Sequence, residues 1–412
     1  MTESKLKRVE GGVTYPLGFK ASGIHCGLRK NKSKKDLALI VADKDCSAAA
    51  IYTTNKVYGA PIKVTRAHLA DGKARAVICN SGNANTCNPD GVDKANAMCS
   101  ALAKQLGINE NDIVVASTGV IGEPLPIEPI LSGIPTLCAE LDSTPEAGYC
   151  AAAAIMTTDT RLKQIAVEFT LDGKKAKLGG MAKGSGMISP NMATMLSFIT
   201  TDAEISSDIL QKTLREVADK TFNMISVDGD TSTNDTLCVM ASGMCGNKCI
   251  DKAEGEDYET FVMALEYVCR YLARKLAADG EGASKLLECR VRGCDDYAKA
   301  RVLAKSVINS PLVKTAMFGA DANWGRILCA LGYAGMDFDP ERVEVNFISS
   351  AGEINVCKNG GSVGFDEDKA KEILLVDSII IDIDMHEGIE TATSYGCDLS
   401  YEYVRINGDY RS

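Results

Sequence analysis

The sequence predicts an α+β layered fold. Short apolar, β-branched runs recur along the chain, and strongly periodic helical segments lie between some of them. The two do not alternate in the strict strand–helix–strand order that a doubly wound parallel sheet needs. Strands are expected at 37–43, 48–53, 74–80, 112–116, 164–170, 194–201, 287–291, 342–348 and 378–384. In 258–278, Phe261, Leu265, Val268, Leu272 and Leu276 recur at helical spacing and mark one buried stripe. In 207–221, Leu210, Leu214 and Val217 do the same behind a start signal from Ser206 or Ser207 with Asp208. Segments 95–106, 298–308 and 322–331 read as further helices. A long helix running into Asp279-Gly-Glu-Gly-Ala-Ser-Lys marks the expected boundary between a main domain, 1–280, and a smaller one, 281–412.

Composition excludes several function classes. With 412 residues, 45% hydrophobic and 24% charged, the chain can bury a large core. A net charge of −10 argues against a phosphate-backbone or anionic-lipid partner, so no nucleic acid and no membrane are expected. The basic cluster Lys30, Lys32, Lys34 and Lys35 reads as a solvated turn. The first residues, MTESKLKRVEGG, lack the apolar core of a secretory leader, and no apolar run is long and uncharged enough to span a bilayer. A cytoplasmic or organelle-interior protein is therefore expected, with its 16 cysteines as reduced thiols. Cys245 and Cys249 form the one close pair, while His25, His68 and His386 lie far apart, so no metal site is expected.

The chain has no phosphate loop, no dinucleotide fingerprint and no Gly-x-Ser-x-Gly elbow. With 3 histidines, a Ser-His-Asp or Cys-His arrangement has few bases to draw on. An N-terminal threonine needs none, because its own α-amine activates its hydroxyl. Thr194 becomes such a terminus if the chain breaks after Ala193. Residues 179–194, Gly-Gly-Met-Ala-Lys-Gly-Ser-Gly-Met-Ile-Ser-Pro-Asn-Met-Ala-Thr, read as a contorted loop leading into a strand. Strain there favours attack of Thr194 Oγ on the Ala193 carbonyl, although a glycine-rich loop before a strand is more often a plain hairpin. Ser117-Thr-Gly, at a strand end, can offer a hydroxyl and a backbone N–H to an oxyanion, or can be an ordinary turn. The loop Ser226-Val-Asp-Gly-Asp-Thr-Ser-Thr-Asn-Asp lacks the spacing of a calcium loop and reads as structural.

Taken in order, these loops resemble the ornithine acetyltransferase (glutamate N-acetyltransferase) family. The likeness runs through Gly11-Gly-Val-Thr-Tyr-Pro-Leu-Gly-Phe, Asn80-Ser-Gly-Asn-Ala-Asn, Ser117-Thr-Gly-Val-Ile-Gly, Met156-Thr-Thr-Asp-Thr and Lys183-Gly-Ser-Gly-Met-Ile-Ser-Pro-Asn-Met-Ala-Thr-Met-Leu. It continues in Val227-Asp-Gly-Asp-Thr-Ser-Thr-Asn-Asp-Thr, Asp279-Gly-Glu-Gly-Ala-Ser-Lys, Ser310-Pro-Leu-Val-Lys-Thr-Ala and Phe318-Gly-Ala-Asp-Ala-Asn-Trp-Gly-Arg-Ile. Each motif alone is weak, but together and in order they are specific.

The resemblance implies an αββα sandwich of the self-processing threonine-nucleophile type with a smaller mixed C-terminal domain. It implies cleavage between Ala193 and Thr194 into fragments 1–193 and 194–412, assembled as an α2β2 heterotetramer. Thr194 would carry the acyl group, and Thr118 with Gly119 would line the oxyanion hole. Thr158 (or its neighbour Thr157), Lys183, Glu281, Asn407 and Ser412 would contact substrate. The implied reaction passes acetyl from N2-acetylornithine to glutamate by a ping-pong route in arginine biosynthesis, with no cofactor. Acetyl-coenzyme A is left open as a second donor. A hydrolytic aminopeptidase or amidohydrolase of the same fold and a noncatalytic binding relative are the alternatives. The chain departs from the family pattern at Ser189, where alanine is common, and at Ser412, where threonine is as frequent.

Overall fold

The computed structural model describes residues 6–188 and 195–409. The chain divides into two compact units. Of the described residues, 6–184, 195–223 and 231–272 form the first, and 185–188, 224–230 and 273–409 form the second.

The strands of the first unit are β1 (Lys7–Val9), β2 (Phe19–Ile24), β3 (Leu37–Tyr52), β4 (Lys73–Asn83), β5 (Ile113–Val120), β6 (Lys163–Leu171), β7 (Lys174–Lys183) and β8 (Leu196–Thr201). After the short β9 (Ile225–Ser226) of the second unit comes β10 (Thr236–Ala241), which completes the sheet of the first. The order is β1-β6-β7-β8-β10-β3-β4-β5, with β2 also on β3. Its helices are α1 (Ala60–His68), α2 (Gly91–Leu106), α3 (Ile127–Ala139), α4 (Pro145–Ile155), α5 (Ser207–Lys220) and most of α6 (Glu256–Ala278).

β3 organises the layers. Its first half pairs with β2 and β4, and its second half, beyond a register shift between Val41 and Cys46, pairs with β10. Alternation along β3 sends side chains to opposite faces. Leu37 and Leu39 join Met98, Leu102, Ile130 and Ile134 of α2 and α3 in one cluster. Ala38 and Ile40 join Met181, Phe198 and Met240 of β7, β8 and β10 in another, together with the alanine-rich α4. The fold is thus the expected α+β layered sandwich.

Two sequence expectations are corrected here. Strands 37–43 and 48–53 are one strand, because Asp43, Lys44 and Asp45 occupy the bend without ending the pairing. Residues 179–183, expected within a loop, are the end of β7. Gly179 serves close packing there, since an added Cβ would run into the Gly12 carbonyl.

The second unit is a seven-stranded sheet of β14-β13-β12-β15-β11-β16-β9. The strands are β11 (Leu286–Cys294), β12 (Glu344–Ser349), β13 (Gly352–Lys358), β14 (Gly361–Ser362), β15 (Ser378–Asp384) and β16 (Glu390–Cys397). Helices α7 (Tyr297–Asn309), α8 (Pro311–Phe318), α9 (Trp324–Gly332) and α10 (Glu367–Leu374) contribute to its core, and α11 (Tyr401–Gly408) follows β16.

Candidate active site

β5 brings the first pair of expected residues into place. It runs parallel to β4, with Ser81 opposite Thr118 and Gly82 opposite Gly119. Gly119 has φ 138°, and an added Cβ would collide with the Gly82 carbonyl carbon, so the close strand pairing requires glycine here. A buried polar network braces the preceding residue. Ser117 Oγ donates to Asn80 Oδ1 at 2.6 Å, Asn234 Nδ2 donates to the Ser117 carbonyl at 2.9 Å, and Thr86 Oγ1 donates to Asn234 Oδ1 at 2.7 Å. Fully partnered buried networks of this kind hold one geometry.

Lys183 closes β7 and is 8% exposed. Its ammonium donates to Thr157 Oγ1 at 2.7 Å and reaches Thr118 Oγ1 at 3.4 Å, with Asp159 Oδ2 at 3.9 Å. Asp159 is more tightly held. It accepts from Lys163 Nζ at 2.7 Å, from the Gly184 N–H at 2.7 Å and from the Thr157 N–H at 3.0 Å. Burial alone would raise the Asp159 carboxyl, but Lys183, Lys163 and the Gly184 N–H overcome it and hold the group well below the usual carboxylate range. Burial pushes the Lys183 ammonium down, and Asp159 only partly opposes it. One carboxylate shared by two buried lysines explains both directions: the anion is amply compensated, and the Lys183 ammonium, 3.9 Å away, only in part.

Sequence reading missed Asp159, although its signal was present as an acidic residue four positions before Lys163 inside a threonine-rich motif. Thr157 is the threonine whose hydroxyl touches Lys183. Thr158, the expected substrate contact, is half-buried beside it.

In the second unit, Glu281 is 7% exposed and accepts from Asn407 Nδ2 at 2.8 Å, so these two expected residues are in contact. The Glu281 N–H donates to the Ser185 carbonyl at 2.9 Å, and Ser185 Oγ donates to the Asp279 carbonyl at 2.6 Å. Asp228 fixes the same segment by accepting from the Met187 N–H at 2.6 Å and the Ile188 N–H at 2.7 Å. Asp228 of the 226–235 loop thus serves backbone hydrogen bonding, the structural role that the sequence suggested for this loop. Ala193, Thr194 and Ser412 lie outside the described residues.

The register of β7 and β8 bears on Thr194 through the sequence. Lys183 is paired with Leu196, two residues after Thr194.

The sequence model of the ArgJ family matches residues 20–412. The chain belongs to the ArgJ family. This agrees with the resemblance carried by the ordered motifs. Among its relatives, the arginine biosynthesis bifunctional protein ArgJ of Caldanaerobacter subterraneus subsp. tengcongensis is 50% identical over 405 residues, covering 98% of this chain and 99% of that one. Arginine biosynthesis bifunctional protein ArgJ 1 of Clostridium acetobutylicum is 49% identical over 395 residues, 96% of each chain. A solved ArgJ structure from Bacillus halodurans is 45% identical with a TM-score of 0.50, covering 52% of this chain and 99% of that one. Among the described residues no helix is long and apolar enough to cross a membrane.

Proposed function

We propose that this ArgJ family member is an acetyltransferase of arginine biosynthesis that passes acetyl from N2-acetylornithine to glutamate through an ester on Thr194. The observation that carries this reading is the surplus positive charge at the end of β7. Lys183 stands beside Thr118, shares Asp159 with Lys163, and pairs in register with the residue two positions after Thr194. An under-compensated buried ammonium favours an anionic ligand, and an amino-acid carboxylate supplies one.

The chain first cleaves itself. Thr194 Oγ attacks the Ala193 carbonyl, the C–N bond breaks as the nitrogen takes the hydroxyl proton, and an ester joins the two residues. One water hydrolyses the ester, leaving the Ala193 carboxylate and a free α-amine on Thr194. The Bacillus halodurans chain supports a cut near the middle, since it is matched along 99% of its own length yet spans 52% of this chain.

In the first half-reaction the α-amine takes the Thr194 hydroxyl proton as Oγ attacks the acetyl carbonyl. Thr118 and Gly119 stabilise the oxyanion. The amine returns the proton to the departing N2 of ornithine, leaving acetyl-Thr194. Glutamate then attacks the ester by the same steps reversed. Glu281, held by Asn407, takes the substrate ammonium, and Lys183 takes the carboxylate. Thr158 and Ser412 are further proposed substrate contacts. The two fragments are proposed to remain together as an α2β2 assembly. The word bifunctional in the relatives' names favours a second activity, for which acetyl-coenzyme A is the proposed donor.

Thr194→Ala is the deciding variant. Intact mass should show one chain near 43.8 kDa where the parent shows two fragments, and acetyl transfer to glutamate should be absent. A cut and active Thr194→Ala protein defeats the reading. Release of acetate without transfer to glutamate would make the parent protein a hydrolase instead.

A further inference from the structure

In the first unit a cavity opens where β3 loses a neighbour. Its pairing with β4 ends at Ser47, opposite Lys73. Past that point the Ala48 N–H donates to the Gly72 carbonyl at 2.8 Å, and the Ala50 N–H donates to Gln211 Oε1 of α5 at 3.2 Å. Residues 49–52, Arg66 in the last turn of α1, Leu69, and Gln211 and Arg215 of α5 line a cavity of about 410 Å³. The lining contains two arginines and no carboxylate. The cavity is distinct from the active site. Tyr52 is paired with Thr236, Thr236 with Leu196 and Leu196 with Lys183, so β10 and β8 lie between this strand and β7.

The donors of this cavity are short of acceptors. The Arg66 guanidinium lies 5.0 Å from the Tyr52 ring centre and 5.1 Å from that of Tyr58. These contacts hold the cation in place but offer its N–H groups no oxygen. Among the described residues neither Arg66 nor Arg215 has a carboxylate partner. Gln211 Nε2 is buried and has no acceptor there either. Because Oε1 takes the Ala50 N–H, turning the amide round would only exchange one unmet group for another. Gln211 and Arg215 are one helical turn apart, which makes their side chains neighbours. Two guanidiniums in one recess also disfavour each other. Both features call for an anion with several oxygens.

We propose that this cavity binds the phosphate group of a small phosphorylated molecule. A phosphate monoester puts nearly two negative charges and three strong acceptor oxygens on one group, a match for two guanidiniums and an amide. The planar fork of arginine suits phosphate oxygens. The cavity is larger than a phosphate ion and leaves room for the organic part of an ester. Coenzyme A carries one such monoester, so the second acetyl donor proposed above is one source of the group and a free phosphorylated metabolite is the other. Binding itself requires neither chain cleavage nor acetyl transfer.

The test is calorimetric titration of the whole protein with glycerol phosphate, inorganic phosphate and succinate at matched ionic strength. Glycerol phosphate should bind most tightly of the three. Arg66→Gln and Arg215→Gln should each weaken it about tenfold or more, the loss of a hydrogen bond to a charged group. Gln211→Glu keeps an acceptor for the Ala50 N–H and gives Arg215 a partner one turn away. Its melting temperature should hold or rise while phosphate binding is lost, an opposition that a purely structural glutamine would not produce. Should Arg66→Gln misfold, Arg215→Gln and Gln211→Glu decide. The proposal is overturned by a parent that does not bind glycerol phosphate, by binding that survives both α5 variants, or by succinate or inorganic phosphate binding as tightly. Coenzyme A and its dephospho form assign the source. If glycerol phosphate binds as expected, a preference of about tenfold or more for coenzyme A, lost in Arg215→Gln, places the donor here. Equal binding of the two forms assigns the cavity to a free phosphorylated molecule.

Discussion

Asp159 in the first unit and Glu281 in the second are both buried carboxylates, 6% and 7% exposed. Their surroundings differ in kind. Asp159 is surrounded by the Lys163 and Lys183 ammoniums and accepts two backbone N–H bonds. For Glu281 the carboxyl hydrogen bond described is a neutral one, from the Asn407 amide. A buried carboxylate compensated by cations of its own chain is part of the scaffold. One met by an amide retains the capacity to take a cation from elsewhere. The contrast separates a residue that prepares a site from one suited to hold a ligand, and each can be tested by removing its charge while keeping its shape.

The largest expected effect is at Asp159. Asp159→Asn leaves Lys163 and Lys183 buried without their shared anion, and breaking such a pair costs about 3–5 kcal/mol. Denaturant unfolding of the variant should show that loss, and the variant should not transfer acetyl even where it folds. A loss below about 1 kcal/mol, the value of a surface pair, would remove the distinction between the two carboxylates. The pH dependence carries a matching sign. Asp159 is held below its ordinary value, so its contribution is fully present above the unfolded carboxylate pKa of about 3.9. It diminishes below that value and is lost as the pH falls through the depressed folded value. The stability difference between parent and Asp159→Asn should therefore be flat from neutrality to about pH 4 and shrink below it.

Glu281→Gln is the second comparison and should behave in the opposite way. Glutamine keeps an acceptor for Asn407, so stability should change by less than about 1 kcal/mol. The KM for N2-acetylornithine should rise about tenfold to a hundredfold, because a desolvated charge pair with the substrate ammonium is lost. The KM for glutamate as acceptor should change less. A variant that loses stability while its KM stays constant would make Glu281 a second scaffold residue.

Sequence legibility differs between fold and site. β15 was expected at 378–384 and lies there because Ile379, Ile381 and Ile383 alternate without interruption. β16 went unseen because Glu390–Cys397 is small and polar, with no apolar alternation to detect, and its strand state comes from pairing with β11. Helix α3 was hidden by Gly133 and Pro135, both of which weaken a helical reading, yet Ile130, Ile134 and Leu137 bury one face. Segment 322–331 is helix α9, capped by Asn323, whereas the short α8 upstream, capped by Ser310, was not read from the sequence. At the site, motif order pointed to Thr118, Gly119, Lys183, Glu281 and Asn407. Asp159 was not singled out: its spacing to Lys163 was legible, but its burial and its contact with the distant Lys183 are not encoded in residue spacing.

The smallest expected effect separates two adjacent threonines. Thr157 donates its N–H to Asp159 and accepts from Lys183 through its hydroxyl, so it belongs with the scaffold carboxylate. Thr157→Val keeps the main-chain bond, removes the hydroxyl, and leaves a buried ammonium one acceptor short, at a cost of about 1.5–3 kcal/mol. That cost should appear in unfolding and equally for both substrates. Thr158→Val removes a hydroxyl proposed to meet substrate, so stability should be unchanged and KM should rise by about tenfold or less, the value of one neutral hydrogen bond. If Thr158→Val is silent in KM while Thr157→Val raises it without lowering stability, the substrate contact moves from Thr158 to Thr157. Lys183 would then reach its ligand through a shared hydroxyl, and the scaffold side of the comparison would end at Asp159.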